Sequence, residues 1–543
     1  MEDAMRLEDA APSRLRQWAL PAVCAAACAL FVAGAIGFYF GPSFVSWLNS
    51  DAAVPVLLAD EVLKTGLPTP SSWYFGNDEI WTLAPHVFAM PFVATLGIST
   101  LALRLGNLFC LCVMVWFLAL SLHRVTRSWP YAILVATVVL APFSGMQEGA
   151  VYSQSAYGWF TAQFALLLYL SLRMQDEQGD PWRLFGRIPW TTALYVLFLM
   201  NLAIDSPIRT AAYWVLPVLA VSLGFPVSKR RPLALMAWTI AVLVAGALVH
   251  HVISEHVLIS SGLSERPVKP VGEWITNVKR IWVGLPELTG WVKAPYASFF
   301  GMLDRIRFCV IALAGLVVLI APAGDGPGSA ECRFFARVSG VMLLVVLGVL
   351  TIGRLNVDPV ADRYLIPPTL LSIAAFMAIL WCRWRAHTWR IAAIAAFFAL
   401  MFCGGALMRV TRFGSVAFHR PCDAPANVCR LESVLANTGV HRGFATYWKG
   451  NVTTLVSEGR IETCGVMLKP QLAPFRWLTP KDCFDPPPDD RYFLALDRTE
   501  IASAGREFLV AQAGTPDQVV TANEYEIWIY TTANANLDWL RRP

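Results

Sequence analysis

The sequence predicts a polytopic α-helical membrane protein of about eleven transmembrane helices, followed by a small C-terminal extracytoplasmic α/β domain. Composition is the first reason. Of 543 residues, 56% are hydrophobic and 15% charged, against about 25% charged in ordinary soluble domains. Mean hydropathy is +0.52, and long apolar runs recur through the first three-quarters of the chain, which is the membrane signature. These facts exclude a soluble enzyme, a disordered chain and a disulfide mini-protein. The net charge of +5 comes without a basic-aromatic stripe, so no nucleic-acid partner is expected.

The first run, Trp18 to Phe40, is too long for a signal-peptide core and reads as a retained helix. Further runs follow at Ile98–Leu122, Pro130–Phe143, Gly158–Leu172, Trp190–Ala203, Thr210–Leu223 and Leu233–Ile253. The series ends with Ile306–Ala321, Val338–Ile352, Leu365–Trp381 and Ile391–Met408. Alternate connections are basic. They carry Arg124 and Arg127; Arg173, Arg183 and Arg187; Lys229, Arg230 and Arg231; Arg333 and Arg337; and Arg383, Arg385 and Arg390. With Arg14 and Arg16 these mark the cytoplasmic side. An odd number of spans then puts the C-terminus outside, giving a multi-pass inner (plasma) membrane protein with a periplasmic C-terminal domain. Residues 1–410 form the membrane module, with outer loops 41–97 and 254–304, and residues 411–543 form the soluble domain.

Cysteine placement agrees with that sidedness. Eight of the 12 cysteines lie in or near spans or cytoplasmic loops, where a thiol is usually a small hydrophobe. The other four, Cys422, Cys429, Cys464 and Cys483, fall in the outer domain. An even count in an oxidising compartment predicts disulfides, with connectivity left open. Gly443–Tyr447, Arg491–Asp497 and Glu524–Tyr530 read as strands, and Pro486, Pro487 and Pro488 mark a loop.

The first outer loop is the most informative. Asp51 stands at the membrane edge, where an ionisable group is a functional candidate by default. The amphipathic segment after it ends at Thr65-Gly66, which predicts a short helix on the bilayer surface, closed by glycine. Asp60 and Glu61 are expected on its solvated face.

Asp51 just after the first span, then the segment ending at Gly66, then Glu79, Pro85, His86 and Pro91, resembles GT-C membrane glycosyltransferases. That superfamily includes the protein O-mannosyltransferases and the lipid A aminoarabinose transferases. The resemblance continues in Gly97-Ile98-Ser99-Thr100-Leu101-Ala102-Leu103-Arg104-Leu105, and downstream in Asp362-Arg363-Tyr364-Leu365-Ile366-Pro367-Pro368. Many relatives carry a second acid beside the first, where this chain has Ala52. The resemblance implies a GT-C-like fold and inverting transfer of a sugar from a polyprenyl-phosphate carrier. The acceptor would be a glycan, lipid or protein at the outer face. No cofactor is certain, and a divalent cation is left open.

Such a transfer needs a carboxylate to take the acceptor hydroxyl proton and cations to hold the departing phosphate. Asp51 is the candidate base; the alternative is that it caps the helix it begins. Arg363, with Tyr364 positioning it, is the candidate phosphate ligand; a snorkelling anchor is the alternative. Arg209 either pairs with Asp205 or lines the phosphate site. Lys279 and Arg280, in the second outer loop, contact either lipid headgroups or donor phosphate. Asp78, Glu79, Glu148 and His86 are candidates for substrate contact or a second acid, with turn and loop roles as alternatives. His250, His251 and His256 read as structural, because no carboxylate or cysteine completes a metal site.

Two other functions compete. An oligosaccharide ligase or polymerase also uses polyprenyl-linked donors, but relies on arginines and a histidine in a large outer loop. A non-enzymatic transporter or scaffold would favour internal repeats and helices broken at midplane, and the halves show no symmetry.

Overall fold

The computed structural model describes residues 14–176, 189–224, 231–260, 268–290, 299–320, 329–353, 361–404, 407, 427–485, 491–531 and 536–541. Every apolar run named above is helical there. Among the described residues, Trp18–Phe40, Thr100–Thr126, Leu233–Ser254, Ala330–Ile352 and Ala361–Trp384 are each long and apolar enough to cross a membrane. Trp129–Leu140 and Gly145–Ser153, bent by 98° at their junction, make a sixth if counted as one span. Beside these five or six stand shorter apolar helices, Trp190–Asp205, Pro207–Leu223 and Trp389–Gly404 among them, at the positions of further expected spans. Wide π turns at Ala211–Val215 and Leu400–Gly404 interrupt two of the remaining runs. A third, in the helix Phe299–Ile320, holds Asp304, Arg305 and Arg307 near its start.

The first outer loop contains an apolar helix that the hydropathy reading passed over, His86–Leu96. Its 11 residues cannot cross a bilayer by themselves, and it packs on Thr100–Thr126. Gly106 makes that approach possible, since a Cβ there would lie 2.9 Å from the Ala89 Cα.

The helix after Asn49 forms as expected, over Ser50–Thr65, and ends at Gly66 in the left-handed region (φ 69°). It buries Ala52 to Ala59, which are continuously apolar, between His86–Leu96 and the helix Gly450–Val456 of the C-terminal domain. Asp60 pairs with Lys64 at 2.7 Å, and Glu61 accepts from Ser72. The helix Val271–Thr289 leaves apolar residues exposed, including Ile275 and Trp282.

Nine strands are described: β1 (Trp73–Gly76), β2 (Leu258–Ser260), β3 (Arg442–Thr446), β4 (Glu462–Met467), β5 (Ala473–Pro474), β6 (Thr479–Pro480), β7 (Arg491–Asp497), β8 (Gln518–Ala522) and β9 (Tyr525–Thr531). Three of them, β3, β7 and β9, match the strands expected from sequence within two residues. The soluble domain is a six-stranded sheet in the order β5-β4-β3-β7-β9-β8, parallel across β4-β3-β7 and antiparallel outside. A second sheet, β2-β1-β6, joins the two outer loops to the soluble domain. Three distant segments are thereby joined.

Cys464 and Cys483 form a disulfide, with Cα atoms 5.7 Å apart. Cys429 is buried, whereas Cys422 and Pro486 to Pro488 lie outside the described residues. The bridge closes the loop that carries Phe475, Trp477 and Leu478. Replacing both cysteines by Ser should cost about 2–4 kcal/mol, read as a lower melting temperature in detergent that dithiothreitol lowers no further. An unchanged melting temperature would show that the sheet holds this loop without the bridge.

Candidate functional site

A cavity of about 310 Å³ opens where the outer loops meet the soluble domain. Its wall includes Asp51, Glu79, Arg209 and Arg363, four of the residues singled out by sequence. Asp205, Tyr157, Gln154, Tyr447 and Trp448 complete its polar lining.

Asp51 occupies the second position of its helix, and the cap is Asn49, whose side chain accepts from the Ala52 N–H at 2.9 Å. Capping is therefore not the role of Asp51. Its carboxylate still gains from the positive end of the helix dipole. The Tyr447 hydroxyl donates to Asp51 Oδ1 at 2.5 Å across 396 positions of sequence. Ser50 donates to the Tyr447 carbonyl, so this turn of the soluble domain is pinned at two points to the start of the helix. Burial pushes the Asp51 carboxyl above its ordinary value, opposed by the Tyr447 hydrogen bond and the Arg363 charge. The same pair raises Tyr447, chiefly by burial and then by the Asp51 charge.

Glu79 is set by a clasped loop. The Ile80 N–H donates to the Asp205 carbonyl at 2.9 Å, and the Thr82 N–H donates to Asp205 Oδ1 at 2.9 Å. Asn77 and Asp78 turn the chain at positive φ just before it. Glu79 is buried and pairs with Arg209, which the sequence had offered to Asp205. Asp205 accepts from Thr82 instead. Arg209 also lies over the Phe160 ring, 4.5 Å from its centroid. Removing one partner of such a buried pair leaves the other charge uncompensated. Glu79→Gln should therefore destabilise the protein by about 3–5 kcal/mol, seen as a lower melting temperature that Arg209→Gln partly recovers in the double variant. A double variant no more stable than Glu79→Gln would refute this pairing as the source of the loss.

Beside the cavity runs a second space of about 250 Å³, lined mainly by apolar atoms of Pro207, Ile208, Ala212, Val346, Val349 and Leu350. Asn77, Glu79 and Arg209 line both spaces. Tyr364 and Asp78 border this groove, and the Arg363 guanidinium lies 5.7 Å from the Tyr364 ring. The Tyr364 carbonyl accepts from Tyr213 at 2.6 Å.

Other predicted residues are placed elsewhere. Glu148 is buried and accepts from the Trp47 indole at 3.0 Å, behind the cavity wall. His86 is buried at the start of its helix and lines neither space. Lys279 and Arg280 are exposed on Val271–Thr289, also outside both. His250 donates from Nδ1 to the Ile204 carbonyl at 2.7 Å and borders the groove. Tyr447 was not singled out, although Tyr447-Trp448 just past a strand end was a signal of aromatics set in a turn.

The donor set does not assemble a cation site in the cavity. Among the described residues, the one group of three ligand-type side chains close enough to share an ion is Glu462, Cys464 and Cys483. Its thiols are spent in the disulfide. In the cavity, Asp51, Glu79 and Asp205 are each committed to a different partner.

No family model matches this chain, and no curated protein matches it. Among solved structures, the crystal structure of ArnT from Cupriavidus metallidurans bound to undecaprenyl phosphate is similar at 10% identity and a TM-score of 0.48, covering 95% of this chain and 99% of that one. ArnT from the same organism in the apo state is similar at 11% identity and a TM-score of 0.48, covering 93% and 98%.

Proposed function

We propose that this chain is a membrane glycosyltransferase that moves a sugar from a polyprenyl-phosphate carrier to an acceptor hydroxyl at the outer face of the membrane. One observation carries the reading. An apolar groove shares its wall with a polar cavity that holds one carboxylate at a helix start and two arginines. An isoprenoid chain suits the groove, and a phosphate suits the arginine end.

In this arrangement Asp51 takes the proton of the acceptor hydroxyl. The acceptor oxygen attacks the anomeric carbon as the bond from that carbon to the phosphate oxygen breaks. The electron pair leaves with the polyprenyl phosphate, whose added charge Arg363 and Arg209 stabilise. A single displacement of this kind inverts the anomeric configuration. Tyr447 already presents a hydroxyl to Oδ1, which leaves Oδ2 for the acceptor. The basic connections support a cytoplasmic N-terminus and a cavity on the outer side. No step is routed through a cation.

The test is mass spectrometry of envelope glycans from a strain lacking the protein, with and without the wild-type chain. A sugar mass that disappears on deletion and returns with the wild type supports transfer. Identical glycans in all strains would sink the reading.

A further inference from the structure

A third space, of about 320 Å³, lies on the soluble domain beside the cavity, within the range of small-ligand pockets. Trp448 lines both this cleft and the cavity that holds Asp51. The residue is 57% exposed, although it follows directly on Tyr447, which is anchored to Asp51. An indole held open by a pinned backbone, where its neighbours are paired, is a ready contact surface.

Leu48, Val428 and Val452 form an apolar side of the cleft, and the opposite side is polar and ordered. Lys449 is fixed between Asp497 and Glu500, 2.7 Å from each. Asp497 caps the helix Arg498–Ala504 in a capping box with Glu500. Burial pushes the Asp497 carboxyl up, but the hydrogen bonds from Lys449, Thr499 and the Glu500 N–H, with the Lys449 charge, together hold it down at about 2. Arg498 and Thr499 stand exposed at the rim, and the buried Tyr525 ring backs the Lys449 ammonium, which lies 5.5 Å from the ring centroid. The open Trp448 face beside a fixed carboxylate–ammonium cluster and an exposed guanidinium matches the two chemistries of a sugar ring, an apolar C–H face and a rim of hydroxyls. A lipid tail would desolvate the Arg498 guanidinium at the rim.

Resting on the transferase reading above, we propose that this cleft is the acceptor subsite and that the acceptor is a saccharide. One ring stacks on Trp448, with hydroxyls on Arg498 and Asp497, and the next reaches past Trp448 toward Asp51. The soluble domain thus selects the acceptor, and its Tyr447-Trp448-Lys449 turn delivers it.

The experiment uses the full chain in detergent on an array of immobilised oligosaccharides, with an array of peptides alongside. Wild type and Asp51→Asn should bind a subset of the saccharides. Trp448→Ala and Arg498→Ala should each weaken that binding by about tenfold or more, and Trp448→Phe should recover most of the first loss. Equal binding by Trp448→Ala, no saccharide bound by the wild type, or capture of peptides instead would each overturn the proposal. Retention of polyprenyl phosphate by the wild type, read by native mass spectrometry, tests the donor half separately. Lipid without glycan would remove this subsite and leave the transferase reading; glycan without lipid would do the reverse.

Discussion

Asp51→Asn should lower sugar transfer by about 10²–10⁴-fold, the usual contribution of a positioned general base, without loss of folded protein. The amide keeps the shape of the carboxylate and an oxygen for the Tyr447 hydroxyl. The helix cap also survives, because Asn49 supplies it. What the substitution removes is the capacity to take a proton. If Asp51 serves only to anchor the soluble domain, Asn preserves that contact and transfer persists at the wild-type rate. Complementation followed by quantification of the sugar product separates the two outcomes, with protein level in the membrane as the control.

A pH profile adds a second reading of the same residue. Because burial holds the folded carboxyl above its ordinary value of 3.8, the base form is lost earlier as the medium is acidified. The rate kcat/KM should fall with falling pH through a single protonation, with a midpoint above 3.8. Tyr447→Phe removes a hydrogen bond that favours the charged form, so it should move that midpoint upward. A midpoint that does not move would separate the acidic limb from Asp51.

Much of this site was legible because its signals are local. The amphipathic run that ends at Thr65-Gly66 marks a helix whatever surrounds it, and Asp51 is conspicuous as an acid at the edge of a span, although the cap is Asn49 and not Asp51. The partners were not legible. Tyr447 lies 396 positions away, and nothing in its own neighbourhood says that it faces an aspartate. Arg209 has Asp205 four residues before it, yet Asp205 is taken by the Thr82 loop and Arg209 turns to Glu79. The helix Ser50–Thr65 was recognised, but the domain that covers it was not, because that domain is encoded at the far end of the chain. Strand β4 escaped notice because Glu462-Thr463-Cys464-Gly465 carries no alternation; its place comes from pairing with β3 and β5.

Arg363→Ala should reduce transfer by about 10²–10³-fold, the usual effect of removing one donor from a site of developing negative charge. Arg363 belongs to the short turn Ala361–Leu365 that opens the helix Ile366–Trp384, so its backbone is set by a rigid element. Its side chain lines the same cavity as Asp51. Two roles meet there, because its positive charge also favours the ionised Asp51. Its loss should therefore weaken donor use and raise the midpoint of the acidic limb together. Arg363→Lys keeps a charge but not the fork that holds two phosphate oxygens. It should restore the pH midpoint more fully than the rate. An arginine that merely snorkels to the interface predicts something else: Lys would substitute at the full rate, and neither variant would move the pH profile. Steady-state kinetics of the three proteins across pH, with a polyprenyl-phosphate-linked sugar as donor, decides between a phosphate ligand coupled to the base and an anchor.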